Sequence, residues 1–435
     1  MTNVIANRIP RDIIREILSH FKSALLTYRL GKFPWYLGHI CAAWRAEFLP
    51  LCDTISIELA LLEPTTSSTG LGFSPLPSNY ERMLNVLRWY LDQNSDIPFS
   101  FTFCMAYSYI PAQSAYARRA LVMLCEQSMR WLDAGLCIWE EEIDVLSQVK
   151  NRIPLLQGLV LDVGSASFQM DSDTFNNAPA LSTLNLHIRA PWNFPWTSLT
   201  SLSFDVTEED FKTRFDVLSK TVNLKELFIY GMYFAEHIGY DKQVMLPCLM
   251  RLFISGIAAL EILRAPALVR LSIDAPNIES FSTVVESFFH ASGCKLQQLE
   301  TRLDSTSNFM ELVERTPDLK HLHIADIVDI FAVLQNLTED NSRATPLSHL
   351  QSLRLDHPMY SDKLHRQLCA FAKSRSRRVE FDGEMFVERL RTLVILQPDK
   401  QVHQRYGTEL EKVCEECGVR LRYFESRYDI PDRWW

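Results

Sequence analysis

Two histidines occupy positions from which the side chains of a strand could meet a metal ion. His321 and His323 flank Leu322, and alternate residues of a strand point to the same face of a sheet. Imidazole nitrogens are common metal ligands, so the pair could bind a metal ion. The simpler interpretation is two solvent-exposed histidines without a metal, and we favour it.

A second pair of possible ligands lies near the carboxyl end. Cys414 and Cys417 form a Cys-x-x-Cys pair in a stretch whose pattern is helical. One pair supplies half of a closed zinc site, and the nearest further ligand is His403. The chain has 10 cysteines, scattered singly through mostly apolar runs without the spacing of a disulfide framework. We therefore interpret them as reduced, buried thiols of a cytoplasmic or nuclear protein.

Motifs for bond chemistry are missing from the sequence. It contains no Gly-x-Ser-x-Gly, no phosphate-binding loop, no kinase signature and no His-Glu-x-x-His, and its 14 glycines leave little material for Gly-rich loops. We therefore predict no catalytic residue, no cofactor and no bound metal. An enzyme whose site is assembled from distant residues stays open as an alternative, although no motif favours it.

Charge and hydropathy disfavour two classes of partner. The net charge is −9, whereas a surface for a phosphate backbone needs an excess of Lys and Arg, so we expect no nucleic acid. The short basic run from Lys373 to Arg378 fits a solvent-exposed turn after a helix better than a nuclear address. No run of ~18 apolar residues occurs, and the start of the chain lacks the apolar core of a signal peptide, so we expect no membrane partner.

A leucine repeat predicts the elements that position these residues. The pattern is Leu-x-x-Leu-x-(Leu, Ile or Phe), and because the fourth and sixth positions of a strand share a face, each copy predicts a short strand with one buried side. The copies are Leu156/Leu159/Leu161, Leu181/Leu184/Leu186, Leu199/Leu202/Phe204, Leu224/Leu227/Ile229, Leu249/Leu252/Ile254, Leu268/Leu271/Ile273, Leu319/Leu322/Ile324, Leu350/Leu353/Leu355 and Leu390/Leu393/Ile395. Leu296 and Leu299 form a damaged copy whose third position is Thr301. Stacked copies would share one core, which no single copy could build alone.

Helical patterns alternate with the predicted strands. The helices we predict are Tyr80–Asp92, Ser114–Cys125, Phe211–Lys220, Ser282–Ala291, Asn308–Arg315, Lys363–Lys373 and Glu409–Cys417, and the further strands are residues 99–105, Trp131–Ile138 and Val419–Glu425. This alternation predicts an α/β fold with parallel strands, and the body resembles an irregular leucine-rich-repeat solenoid. One feature of that family is missing, because no Asn or Cys recurs three residues after the last apolar position of each copy.

The first sixty residues carry two short amphipathic patterns. Pro10 suits a first helical turn, where its missing N–H is not needed. One apolar face then carries Ile13, Ile14, Ile17, Leu18 and Phe21, and a second carries Leu37, Ile40, Cys41, Trp44 and Phe48. Two helices of this size bury too little surface for a confident independent fold, so they are expected to pack on another body.

These two patterns resemble an F-box. That motif usually reads Leu-Pro-x-Glu-Ile-Leu near its start and Val-Cys-x-x-Trp-Arg near its end, and this chain has Ile-Pro-Arg-Asp-Ile-Ile from Ile9 and Ile-Cys-Ala-Ala-Trp-Arg from Ile40. An F-box followed by a long Leu-rich body is similar to the large F-box families of basidiomycete fungi. The residues of the F-box and its adaptor-binding surface would be Ile9, Pro10, Ile13, Ile14, Ile17, Leu18, Leu37, Ile40 and Trp44.

The resemblance implies a substrate-recognition subunit of an SCF-type cullin–RING ubiquitin ligase. The F-box would bind the adaptor subunit, the repeat body would bind an unknown target protein, and the chain would do no catalysis itself. The alternative is a non-catalytic repeat scaffold for protein–protein interaction outside ubiquitin ligation, in which the helices are only a cap. The implied organisation is an F-box module over residues 5–60, a linker and connecting helix over 61–95, the solenoid over 96–425 and a tail over 426–435.

Outward positions of the predicted strands are candidates for substrate binding. They lie between and beside the inward leucines, where aromatic and charged residues alternate in the mixture that is typical of binding hot spots. The candidates are Glu226, Phe228, Tyr230, Arg251, Phe253 and Arg270, with Ser255, Ser272 and Asp274 beside them. The alternative is a face that a neighbouring loop or the carboxyl-terminal tail covers.

Overall fold

The structure is a computed structural model, and it describes most of the chain beyond residue 76. The described residues are 9–17, 44, 54–58, 77–93, 95–105, 111–164, 173–187, 193–207, 209–231, 242–275, 280–303, 305–325, 329–338, 347–356, 361–375, 380–381, 384–385, 390–396 and 400–424. The chain divides into two compact units, residues 1–204 and 205–435.

Parallel strands build the first unit. Its strands are β1 (Thr54–Glu58), β2 (Phe99–Cys104), β3 (Trp131–Ile138), β4 (Gly158–Val163), β5 (Thr183–His187) and β6 (Ser201–Asp205). They lie side by side in chain order, and each pairs in parallel with the next. The described α-helices of this unit are α1 (residues 11–17), α2 (Pro77–Gln93) and α3 (Pro111–Glu126). Short 3-10 helices cover Ser128–Arg130, Glu140–Val149 and Trp196–Ser198. Parallel neighbours need crossover connections, and α2 and α3 supply those before β2 and β3.

The second unit repeats this arrangement with more strands. Its main strands are β7 (Glu226–Tyr230), β9 (Arg251–Ser255), β11 (Arg270–Ala275), β12 (Gln298–Leu303), β13 (His321–Ala325), β14 (Ser352–Asp356), β17 (Thr392–Leu396) and β18 (Arg420–Phe424). They pair in parallel in that order. Two small ladders join β8 (Val244–Met245) to β10 (Leu263–Arg264) and β15 (Glu380–Phe381) to β16 (Glu384–Met385).

Helices between the strands of the second unit form a second layer. They are α4 (Phe211–Leu218), α5 (Ala258–Ile262), α6 (Phe281–Ser292), α7 (Thr306–Glu314), α8 (Ile330–Thr338), α9 (Asp362–Ser374) and α10 (Lys400–Cys417). From α5 to α10, each helix packs against the next one along the chain. Ser305 and Ser361 cap α7 and α9, because each hydroxyl accepts a backbone N–H of the first helical turn.

The repeat leucines form the core of each unit. Leu252, Leu271 and Leu299 are register partners on successive strands, and all are buried. Leu159, Leu184 and Leu202 are likewise buried register partners in the core of the first unit. Each such leucine contributes roughly 1.5–3 kcal/mol by leaving water, so the ladders stabilise the parallel strands across which they run.

The predicted elements are confirmed, with several differences. The structure is α/β with open parallel sheets, and Thr301 lies in a normally paired strand, so the copy at Leu296 is not damaged in its pairing. The strand β1 lies within residues 5–60, for which we expected a helical module, and it pairs with β2 instead. The helices α5 and α8 and the two small ladders are not predicted either, and α10 begins at Lys400 rather than at the predicted Glu409. The helix α2 begins at Pro77, three residues before the predicted Tyr80, and proline is suited to a first turn. The domain boundaries stay predictions, and the tail 426–435 lies outside the described residues.

Among the helices that the structure describes, none combines the length and the apolar character required to cross a membrane.

Candidate interaction surfaces

Three aromatic side chains meet on the outward face of the second unit. Phe228 and Tyr230 alternate with buried residues on β7, and Phe253 does so on the neighbouring β9, where it is the register partner of Phe228. The ring centroid of Phe253 lies 6.4 Å from that of Phe228 and 4.9 Å from that of Tyr230. All three rings are half-buried, so they pack on one another and still present an edge to solvent. We call these three residues the aromatic patch.

Charged candidates border the aromatic patch. The guanidinium of Arg251 lies over the ring of Phe228, 5.0 Å from its centroid, and its Nη1 lies 3.9 Å from Oε1 of Glu226. Arg270 is the register partner of Arg251 on β11. The structure therefore brings all six predicted substrate-binding residues together on three adjacent strands. An exposed ion pair of this length contributes little stability, so Arg251 and Glu226 can separate at little cost and pair with charges of a bound protein.

A polar cluster that the sequence did not predict lies further along the same face. His323 is 4% exposed, with Nδ1 3.1 Å from Oε1 of Glu300 and Nε2 2.9 Å from Oδ2 of Asp356. Arg354 holds Asp356 with two hydrogen bonds, of 2.7 and 2.9 Å. The hydroxyl of Ser272 donates to Glu300 at 3.0 Å. We call these five residues the histidine cluster, and they span strands β11 to β14.

Charge compensation keeps the two carboxyl groups of the histidine cluster ionised. Burial alone raises the pKa of Glu300, but the hydrogen bond and the charge of His323 outweigh it and lower that pKa to about 2. Burial likewise opposes the pKa shift of Asp356, and His323 together with Arg354 lowers it to about 2. Both carboxyl groups are therefore ionised at neutral pH, and each is held by a cationic or hydrogen-bonding partner.

The predicted histidine pair divides into two environments. His323 is buried in the histidine cluster, so the expectation that both side chains face solvent was wrong for it. His321 is half-buried, and burial, then the charges of Lys320 and Arg270, lower its pKa. Within the described residues, no group of three or more His, Cys, Asp or Glu side chains is placed to hold a metal ion.

The Cys-x-x-Cys pair lies on α10 with both thiols buried. Cys414 and Cys417 are free cysteines, as the sequence predicted, and burial raises the pKa of Cys414 to about 12. On the neighbouring α9, Cys369 lies with Sγ 3.8 Å from Nε2 of His365, and burial raises its pKa to about 11. Both shifted thiols stay protonated at neutral pH and behave as small apolar groups.

The amino-terminal candidates differ in exposure. The carbonyl of Pro10 accepts the N–H groups of Ile13 and Ile14 at 3.1 and 3.2 Å, which opens α1 as the sequence predicted. Ile14 is fully buried and Trp44 is 7% exposed, whereas Ile13 is 51% exposed. Ile9 and Ile17 are half-buried. The other candidates, Leu18, Leu37 and Ile40, lie outside the described residues.

Comparison with known proteins assigns no class to this arrangement. No protein-family model matches the chain, and no curated protein matches it.

Proposed function

We propose that the chain is a substrate-recognition subunit of an SCF-type cullin–RING ubiquitin ligase. The proposal rests first on the F-box resemblance of residues 9–48. The structural observation that supports it is the difference in burial among the amino-terminal apolar residues: Ile14 and Trp44 are buried, whereas Ile13 is exposed. An F-box needs this division, because some of its apolar residues hold the module together while others meet the adaptor.

The body supports the second half of the proposed function. An open face of parallel strands carries the aromatic patch beside Arg251 and Glu226, and aromatic and Arg side chains are enriched among binding hot spots. In this proposal the body is an irregular leucine-rich-repeat solenoid that holds a target protein. The chain forms and breaks no bonds itself, and other subunits catalyse ubiquitin transfer to a target held in proximity.

Ile13 is the residue by which the adaptor contact can be tested. Burying a large apolar side chain contributes roughly 1.5–3 kcal/mol. An Asp at position 13, once the adaptor covers it, would therefore weaken adaptor binding by about tenfold or more. Met245 in the second unit offers a matched control, since it is 56% exposed against 51% for Ile13. The experiment compares Ile13→Asp with Met245→Asp in purified full-length chain, mixed with the adaptor subunit alone and with the adaptor–cullin assembly.

We expect Met245→Asp to bind the adaptor as the unchanged chain does and Ile13→Asp to lose binding. Circular dichroism of both variants checks that the fold is kept. If the unchanged chain captures neither adaptor nor cullin, the ligase assignment fails and a repeat scaffold outside ubiquitin ligation takes its place. If both variants bind equally, the surface around Ile13 is not the adaptor contact.

A further inference from the structure

Cations line the edge at which the strands of the second unit begin. The first aligned position is the residue before each strand's first paired residue: the carbonyl of Lys225 accepts the N–H of Arg251, and the same bond recurs at each later strand. The second aligned position is the residue that follows, and it is a register partner from strand to strand. We call the cations at these two aligned positions the basic band, which consists of Lys225, Arg251, Arg270, Lys320, Arg391 and Arg420.

Nearly all charged residues at these two aligned positions are positive. The two aligned positions on the eight strands hold six Lys or Arg residues and one carboxylate, Glu226, although the chain as a whole carries a net charge of −9. The corresponding positions of β3 to β6 in the first unit hold no Lys or Arg and include Asp133. The cations are therefore not a requirement of the strand repeat, because the same framework forms without them.

The side chains of the basic band are accessible from solvent. Lys225, Arg391 and Arg420 are exposed, and the other three are half-buried. Lys320 donates to Oε1 of Gln297 at 3.4 Å, which is a neutral partner and leaves its charge uncompensated. The positive potential also acts on a neighbour, since the charges of Lys320 and Arg270 add to burial in lowering the pKa of His321.

We propose that the basic band binds an extended acidic segment of a partner protein. Eight parallel strands at about 4.8 Å spacing span about 34 Å, which an extended chain covers with about ten residues. Arg251 belongs to the band and also lies over Phe228, so an apolar residue at one end of the acidic segment would reach the aromatic patch. As a statement about target recognition, the inference rests on the proposed function.

A protein segment fits this surface better than a nucleic acid does. Glu300 and Asp274 lie on the same face, two and four positions further along their strands than the aligned edge residues. A single extended chain lying along the edge avoids these carboxylates. A nucleic acid carries a phosphate on every nucleotide and covers a wider strip, so it would meet them.

The test uses the purified full-length chain and fluorescence anisotropy. The probe is a fluorescein-labelled peptide of about ten residues that alternates Glu with Gly, a length taken from the span of the strands. The comparison ligands are the same peptide with Gln in place of Glu and a single-stranded DNA of similar length. We expect the Glu peptide to bind more tightly than either, with an affinity that falls as salt rises from about 50 to about 300 mM.

Charge reversal on the edge is compared with charge reversal on the helices. The edge variant is Lys320→Glu with Arg391→Glu, and the control variant is Lys212→Glu with Lys412→Glu, which changes net charge equally at exposed helical positions. We expect the edge variant to weaken peptide binding by about tenfold and the control by less than about twofold. The pair Lys320→Gln with Arg391→Gln, which removes charge without adding repulsion, should give an intermediate loss.

Three results would overturn the inference: equal losses in the edge and control variants, equal binding of the Gln and Glu peptides, or tighter binding of the DNA. Adaptor capture by the same preparations separates this inference from the proposed function. Capture without peptide binding would reject the basic band as a docking surface and leave the ligase assignment standing. Peptide binding without adaptor capture would reject the ligase assignment and leave the acidic ligand standing.

Discussion

Thr301 is a polar residue in a row of apolar ones, and its replacement by Val should stabilise the second unit. On β12 it takes the place that Ile273 and Ile324 hold on the adjacent strands, and it is fully buried. Its hydroxyl has no hydrogen-bond partner among the described residues. The substitution removes that hydroxyl and leaves a side chain of nearly the same shape, so it should neither open a cavity nor force neighbours apart.

The magnitude follows from the cost of an unpaired buried hydroxyl. In folded proteins that cost is about 1–3 kcal/mol, and Val and Thr have similar preferences for strands. We therefore expect Thr301→Val to raise the free energy of unfolding by about 1 kcal/mol. In a unit of roughly 150–250 residues, that gain corresponds to a rise of roughly 2–4 °C in Tm.

Calorimetry and urea unfolding of the full-length chain measure this effect. The matched control is Thr392→Val on β17, where the side chain lies at a partly exposed outward position. Surface substitutions of this kind usually change the free energy of unfolding by less than about 0.5 kcal/mol. A Thr301→Val variant that unfolds at the same or a lower temperature than the unchanged chain would show that the hydroxyl is satisfied, and the reasoning would fail.

Two further predictions concern the outward face. Changing Phe228, Tyr230 and Phe253 together to Ala should remove the proteins that the chain captures, whereas Val160→Ala, at an exposed strand position of the first unit, should not; an unchanged set of captured proteins rejects the aromatic patch. Asp356 has a folded-state pKa of about 2 against 3.8, which corresponds to about 2 kcal/mol of stability. Because the folded-state pKa is the lower one, that stability is complete above pH ~4 and lost as pH falls through about 2. The difference in unfolding free energy between the unchanged chain and Asp356→Asn should therefore shrink over this range, and a constant difference contradicts the assignment.

Local spacing is sufficient to predict the strands of the leucine copies and the positions of the aromatic patch. Because the leucines of a copy fix which positions point inward, the position between them must point outward, and this rule places Phe228 and Phe253 on one face. Their contact also required that the two strands be neighbours. Short connections between successive copies make that the expected arrangement.

The histidine cluster could not be predicted in the same way. Glu300, His323 and Asp356 come from three copies separated by unequal connections, and His323 looked like any histidine on a solvent-facing strand. The signal was present only in the alignment of copies, where Glu300 and His323 are register partners and Asp356 lies one outward position further along the next strand. An alignment of the copies by position, rather than an analysis of each strand alone, places these opposite charges side by side.

The two ends of the outward face differ in charge when the strands are aligned by their register. Towards the ends of the strands, the carboxylates are paired within the protein, as Asp274 is with Arg302 at 3.4 Å and Asp356 is with Arg354. At the beginning of the strands, cations outnumber the single carboxylate six to one. Two of these cations already act on carboxylates, since Arg251 lies 3.9 Å from Glu226 and the charge of Arg270 helps to lower the pKa of Glu300. An anionic partner should therefore gain most from Lys225, Lys320, Arg391 and Arg420. The recognition of an acidic ligand should therefore depend on the beginning of the strands rather than on the carboxylates that are paired further along them.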